Sequence, residues 1–189
     1  ELIEDESQRE AIASDMKEMD SLISGLAEAE ALSSRHSKLN RQPNSVSQLI
    51  ISELEQHFAD AGIVAPEQSN DDYMLLDGMR IRLLLRNLLN NALRHTDSQQ
   101  SRPTVTFSVS EEGLVLEVGD SGEGIDAKHL GRVTEAFYRP DASRQRKTGG
   151  FGLGLYLCRN IVAAHKGTMV IESEPGSGTL VTVNIPHKV

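Results

Sequence analysis

GGFGLGLYLCRNIVAAHKG, residues 149–167, places four glycines in its first six positions and then turns into an apolar run with helical spacing. Glycines ahead of a helix let backbone N–H groups approach an anion closely, and the first helical turn adds unpaired donors and a partial positive charge. That combination favours phosphate. A P-loop would require GxxxxGK[ST] directly after a strand, and a dinucleotide turn would require GxGxxG there. GGFGLG meets neither pattern and follows a polar loop. A purely structural loop would also accommodate these glycines, so the reading depends on their companions.

Two companions point the same way. DSGEGI, Asp120 to Ile125, sets a carboxylate at the end of an expected strand and follows it with Gly122 and Gly124. A carboxylate there accepts a hydrogen bond from an exocyclic amine, and the glycines keep Cβ atoms clear of a flat ring; an ordinary turn has the same composition. In RNLLNNALRHT, residues 86–96, helical spacing puts Asn87, Asn91, Arg94 and His95 on one face and Leu88, Leu89, Ala92 and Leu93 on much of the other. Two amides and two basic groups on one stripe suit a hydrated cation and a polyphosphate, and magnesium, which keeps its waters and needs few protein ligands, fits best. An exposed polar helix face would look alike in isolation.

The rest of the chain frames these segments. Of 189 residues, 38% are hydrophobic and 25% charged, with aromatics at 4% and no Trp, so a core must be built mainly from aliphatic side chains. The net charge of −9 disfavours general attraction to nucleic acid or an anionic membrane. Cys158 is the single cysteine, which excludes a disulfide framework, and its position on an apolar helix face reads as packing. No run of about 18 apolar residues or cleavable signal is present. The segment around residues 5–32 spaces Ile12, Met16, Met19, Ile23, Leu26 and Ala29 in alternating steps of three and four, a coiled-coil-like seam that needs a partner or a resting place on its own domain. A Ser-, Asn- and Pro-containing stretch, residues 36–45, then reads as a linker. Beyond it we expect helices over residues 47–62, 79–96, 126–137 and 153–167. The expected strands are at 73–78, a pair in 103–120 meeting at Glu111 to Gly113, and a pair in 168–186 around Pro175 to Gly178. Helices mixed with antiparallel hairpins, without βαβ alternation, predict an α+β sandwich with helices on one face of a sheet.

In this order and spacing the three segments resemble those of the catalytic ATP-binding domain of bacterial sensor histidine kinases, members of the Bergerat-fold (GHKL) ATPases. RNLLNNALRHT resembles the N box, VGDSGEGI the G1 box, EAFYR the F box, GGFGLGL the G2 box and GSGT the last glycine box, and the likeness covers residues 46–187. It implies a two-layer α/β sandwich with a mixed sheet, preceded by one long amphipathic helix. Residues 1–35 would be the C-terminal part of a dimerisation hairpin, 36–45 a linker and 46–189 the catalytic domain.

The resemblance further implies ATP and Mg2+ as cofactors. Asn91 would coordinate magnesium with Asn87 assisting, Asn87 and Arg94 would serve catalysis, Arg94 would reach the phosphates and His95 would stack near the nucleotide. Asp120 would meet the adenine amine, with Gly122, Gly124 and Ile125 beside the ring and Thr179 nearby. Phe137 would anchor a lid running through Tyr138, Arg139, Arg144, Arg146 and Lys147, and Gly150, Phe151, Gly152, Leu153, Gly154 and Leu155 would form the phosphate turn. Preplaced cations and N–H dipoles suit the charge that develops on a transferring phosphoryl group. Hydrolytic members of the superfamily carry a Glu where this chain has Asn87, and an amide is a poor general base, so transfer to a protein side chain is favoured over hydrolysis.

None of the six histidines, at 36, 57, 95, 129, 165 and 187, is followed by Asp or Glu, as the family's acceptor is. We therefore expect the acceptor upstream of Glu1 and no self-phosphorylation by this piece. The implied partners are a response regulator receiver domain and a second copy through the helical hairpin, with no nucleic acid. Membrane contact would come only through upstream segments of an inner-membrane sensor whose present part is cytoplasmic. Two alternatives on the same fold stay open: an anti-sigma-factor-type serine kinase and a nucleotide-binding regulatory module. His165, next to Lys166 and Gly167, reads as a helix-end residue favoured by the dipole.

Overall fold

The computed structural model describes Met16 and residues 39–63, 66, 72–96, 102–140 and 151–187. Apart from Met16, the amphipathic seam lies outside the described residues, as do most of the basic loop with Arg144, Arg146 and Lys147, and Gly150. The elements are β1 (Gln42–Ser45), α1 (Val46–His57), a 3-10 turn (Ala59–Ala61), β2 (Tyr73–Leu76), α2 (Gly78–His95), β3 (Thr104–Val109), β4 (Gly113–Asp120), α3 (Ala127–Leu130), α4 (Gly154–Ala164), β5 (Thr168–Glu174) and β6 (Gly178–Pro186).

Two sheets form. β3, β4, β6 and β5 make a four-stranded sheet in that order, and β1 pairs with β2 in a separate ribbon. All these pairings are antiparallel, so the sheet expected to be mixed is antiparallel among the described strands. The two-layer α+β arrangement is the expected one. Alternation in β4 and β6 directs Leu114, Leu116, Val118, Val181, Val183 and Ile185 to one face, where they share a core with Ile50 and Leu54 of α1, Leu84, Leu85, Leu88 and Leu89 of α2, and Cys158 and Ile161 of α4. Each such aliphatic side chain contributes about 1.5–3 kcal/mol on full burial. Burial also pushes the Cys158 thiol far above its usual pKa, so this cysteine is a packing residue.

Caps decide where the helices begin. Ser45 caps α1 by accepting from the Gln48 N–H, and the buried Asp72 carboxylate accepts from the Ser47 N–H at 2.6 Å. Asp77 caps α2 by accepting from the Arg80 N–H. Across the α1–α2 contact, Glu53, 1% exposed, takes a 2.7 Å bond from Arg86 Nε.

Three elements depart from expectation. Gln42–Ser45, read as the end of a linker, is a strand in register with Tyr73–Leu76. Pro43 is tolerated because a two-stranded ribbon is all edge. The helix expected over 126–137 stops at Leu130; the chain continues as turns to Phe137, whose φ of 64° no helix accepts. At the end of α4, Lys166 rather than Gly167 takes the left-handed conformation, with φ 62°. Among the described residues no helix is long and apolar enough to cross a membrane.

Candidate nucleotide site

The site begins with α2. Its buried stripe, Leu88, Leu89 and Ala92, rotates Asn87, Asn91, Arg94 and His95 away from the core. Asn87 donates its amide N–H to the Leu83 carbonyl at 2.9 Å. Its Oδ1 faces the start of α4, where a Cβ on Gly154 would lie 3.2 Å from it. At the end of the helix, His95 Nδ1 lies 3.5 Å from Glu123 Oε1, which brings the DSGEGI turn onto α2.

β4 delivers Asp120 to this place. The carboxylate accepts from the Gly122 N–H at 2.9 Å, and the Thr179 N–H reaches it from β6, whose Thr179 stands opposite Asp120 in register. Burial raises the Asp120 pKa, and the Gly122 N–H, the His95 charge and the Thr179 N–H each offset part of that rise. The glycines of this turn also have a structural reason of their own. A Cβ on Gly122 would sit 1.9 Å from the His95 carbonyl oxygen, and one on Gly124 2.0 Å from that of Glu174. They allow two backbones to touch, and through them the turn is locked between α2 and the β5–β6 hairpin.

Ser173 escaped the sequence reading. Its hydroxyl accepts from the Ile125 N–H at 2.8 Å, donates to the Gly178 carbonyl at 2.6 Å and lies 3.0 Å from the Thr179 hydroxyl. One side chain thus holds the far end of the turn to the strand that carries Thr179. The available signal was its place in β5: Met169, Ile171 and Ser173 alternate inward, and the last of these is polar.

The glycine stretch ahead of α4 joins the same end. Phe137 N–H donates to the Gly152 carbonyl at 3.0 Å, so Phe137 ties the F box to the glycine stretch through its backbone, while its ring is exposed. Gly152 has φ 71°, and a Cβ there would press on the Tyr138 carbonyl at 2.6 Å. Phe151 and Leu155 are half-buried, Leu153 is buried, and among the described residues no side chain caps the first turn of α4. Arg94 lies on the exposed side of α2, and partial desolvation first and the Arg139 charge second draw its pKa down. Tyr138 turns elsewhere, its hydroxyl 2.7 Å from His129 Nδ1 and its ring under Arg132 at 4.1 Å.

Chemically, one end of this place has a half-buried carboxylate acceptor, and the other has amides, guanidiniums and the leading N–H groups of α4. Among the described residues no three His, Cys, Asp or Glu side chains gather to hold a metal, so a cation here would take amide and phosphate oxygens, a donor set that fits magnesium. A cavity of roughly 480 Å³ is lined by Thr104, Gly119, Asp120, Ser173, Thr179 and Leu180 among others; it shares the Asp120 end of this place and includes no residue of α2 or α4.

Comparison with known proteins agrees with this geometry. The family model of histidine kinase-, DNA gyrase B-, and HSP90-like ATPases matches residues 76–189. The chain is 38% identical over 122 residues to the sensor histidine kinase WalK of Bacillus subtilis, covering 62% of this chain and 20% of that protein. It is 38% identical over 133 residues to the signal transduction histidine-protein kinase BaeS of Escherichia coli, covering 69% and 28% respectively. Its fold is similar to that of the Acinetobacter baumannii histidine kinase AdeS, with TM-score 0.73 at 22% identity over 95% of this chain and 84% of that one. Full-length ShkA in complex with AMPPNP gives 0.70 at 24% identity over 88% and 35%.

Proposed function

Since the chain belongs to the histidine kinase-, DNA gyrase B- and HSP90-like ATPase family, with sensor histidine kinases as its relatives, we propose that it binds ATP and donates the γ-phosphoryl group to a histidine. The observation that carries this reading is the meeting of α2, the Asp120 turn and the start of α4 at one end of the sheet, with Asn87 where hydrolytic relatives would have a general base.

Asp120 accepts from the adenine amine and the Ile125–Ser173–Thr179 contacts hold its surroundings still. Arg94, Arg139 and the first N–H groups of α4 face the phosphates, where they stabilise charge as it shifts toward the leaving oxygen. Asn91, assisted by Asn87, would hold magnesium, which when bound neutralises phosphate charge and fixes the chain of phosphates for in-line attack. The acceptor imidazole nitrogen forms a bond to the γ-phosphorus as the bond to the β–γ bridging oxygen breaks. ADP leaves with that electron pair and the imidazole proton passes to solvent. We place the acceptor on a dimerisation hairpin rather than among this chain's six histidines, with relay to an aspartate of a response regulator.

The test is to incubate the chain with a separate hairpin bearing the acceptor, labelled ATP and magnesium. Acid-labile, base-stable label on the hairpin, lost with Asn91→Ala, supports the reading. Label that survives acid, or phosphate release without transfer, overturns it.

A further inference from the structure

α2 and α4 lie antiparallel, and three contacts mark one register along their shared length. Gly154 stands against Asn87, Cys158 Sγ points to the Leu84 carbonyl at 3.8 Å, and His165 meets Asp77. The first contact is in the nucleotide site; the last is at the opposite end. There His165, 1% exposed, accepts the Asp77 N–H at Nε2 over 3.2 Å and donates from Nδ1 to the Ile161 carbonyl at 2.8 Å. An imidazolium has no acceptor, so this pattern requires the neutral ring with its proton on Nδ1. Asp77 also begins α2: its carboxylate takes the Arg80 and Asn40 N–H groups and pairs with the Arg80 guanidinium at 3.5 Å.

Aliphatic ridges between two helices specify register weakly, because a slip repacks similar side chains in similar holes. A directional polar contact specifies it strongly. A slip of one residue would carry Gly154 about 1.5 Å past Asn87, a displacement large enough to misplace bound phosphates.

We propose that His165 is a positioning residue for nucleotide binding: it pins the start of α2 to the end of α4, and so sets Gly154 opposite Asn87, only while its ring is neutral. The proposal rests on the nucleotide reading above. The charged groups that face the ring are Arg41, ahead of β1, and Asp77 and Arg80 of α2. Burial dominates and lowers the His165 pKa, the Ile161 carbonyl opposes it, Arg41 and Arg80 add to the lowering and Asp77 counters. The lock is therefore closed at neutral pH. As pH falls below the ordinary histidine range, Nε2 gains a proton and confronts the Asp77 N–H as a second donor.

The experiment is calorimetric titration of the 189-residue chain with ATP and magnesium between about pH 8 and about pH 5, for the parent, His165→Gln and His165→Leu, with circular dichroism confirming the folded state. Gln offers an acceptor oxygen that does not titrate, whereas Leu offers none. We expect parent affinity to fall at the acid end about tenfold more than that of His165→Gln. We expect His165→Leu to bind about tenfold more weakly than the parent at neutral pH. Protonation of ATP and of Asp120 is common to all three and cancels in the ratios. Matching pH profiles for the parent and His165→Gln, or parent-like affinity in folded His165→Leu, would overturn the positioning role alone. If His165→Leu does not fold, the Gln comparison decides. Absence of binding by the parent at every pH overturns the nucleotide reading and this role together.

Discussion

The Asp120 carboxylate takes the Gly122 and Thr179 N–H groups, and its remaining acceptor capacity is what an exocyclic amine would use. Asp120→Asn presents an N–H₂ in that space, and hydrogen bonds to charged acceptors contribute about 1.5–3 kcal/mol. We expect ATP affinity to drop by roughly 10- to 150-fold in calorimetry, with the thermal midpoint little changed. Ser173→Ala removes the acceptor for the Ile125 N–H and the donor to the Gly178 carbonyl. Leaving such groups unsatisfied costs about 1–3 kcal/mol, visible as a lower urea midpoint together with weaker binding. The difference between these residues in the sequence is instructive. Asp120 sits in a motif whose spacing declares a strand end and a turn, while Ser173 acts across 48 residues and leaves only a polar side chain at an inward strand position.

At the level of helices and strands, the polar face of α2 and the glycine opening of α4 were readable because helical periodicity fixes which side chains share a face. What holds α2 in place was not, since Glu53–Arg86 and Asp77–His165 join residues 33 and 88 positions apart. Arg86→Met would deprive the buried Glu53 carboxylate, one of whose oxygens has no hydrogen-bond partner among the described residues, of its closest partner in the α1–α2 contact, leaving His57 Nε2 at 3.8 Å. The Arg86 side chain is 42% exposed, so the loss is that of an unsatisfied buried acceptor rather than of a fully buried pair, about 1–3 kcal/mol; chemical denaturation should show a loss of that size, and a change within error would refute the account. β1 was hidden because Pro43, Asn44 and Ser45 have turn composition, yet Ser45 is an N-cap and Asn44 bonds across the ribbon to the Leu76 carbonyl at 2.9 Å. The helix expected beyond Leu130 failed where Phe137 had to present its N–H to Gly152, a demand no local pattern reveals.

Over the whole molecule, two titrations of opposite sign, at buried His165 and half-buried Asp120, shape stability. His165 has a folded pKa below its unfolded value near 6.5, so its contribution is complete above that pH and is lost as pH falls through the folded value. Asp120 has a folded pKa above 3.8, so the folded state binds its proton more readily and this group favours folding at lower pH. Acidification from neutrality meets the histidine first. The thermal midpoint should therefore decline below about pH 6.5 in the parent and decline less in His165→Gln; equal slopes would contradict the assignment. The contact at the far end of the helix pair has one more consequence, because linkage is reciprocal: if a proton on that imidazole weakens ligand binding, the ligand must weaken the proton's hold by the same factor. In mildly acid solution, loading the site should expel hydrogen ions, and the apparent binding heat should then vary with the ionisation enthalpy of the buffer that receives them.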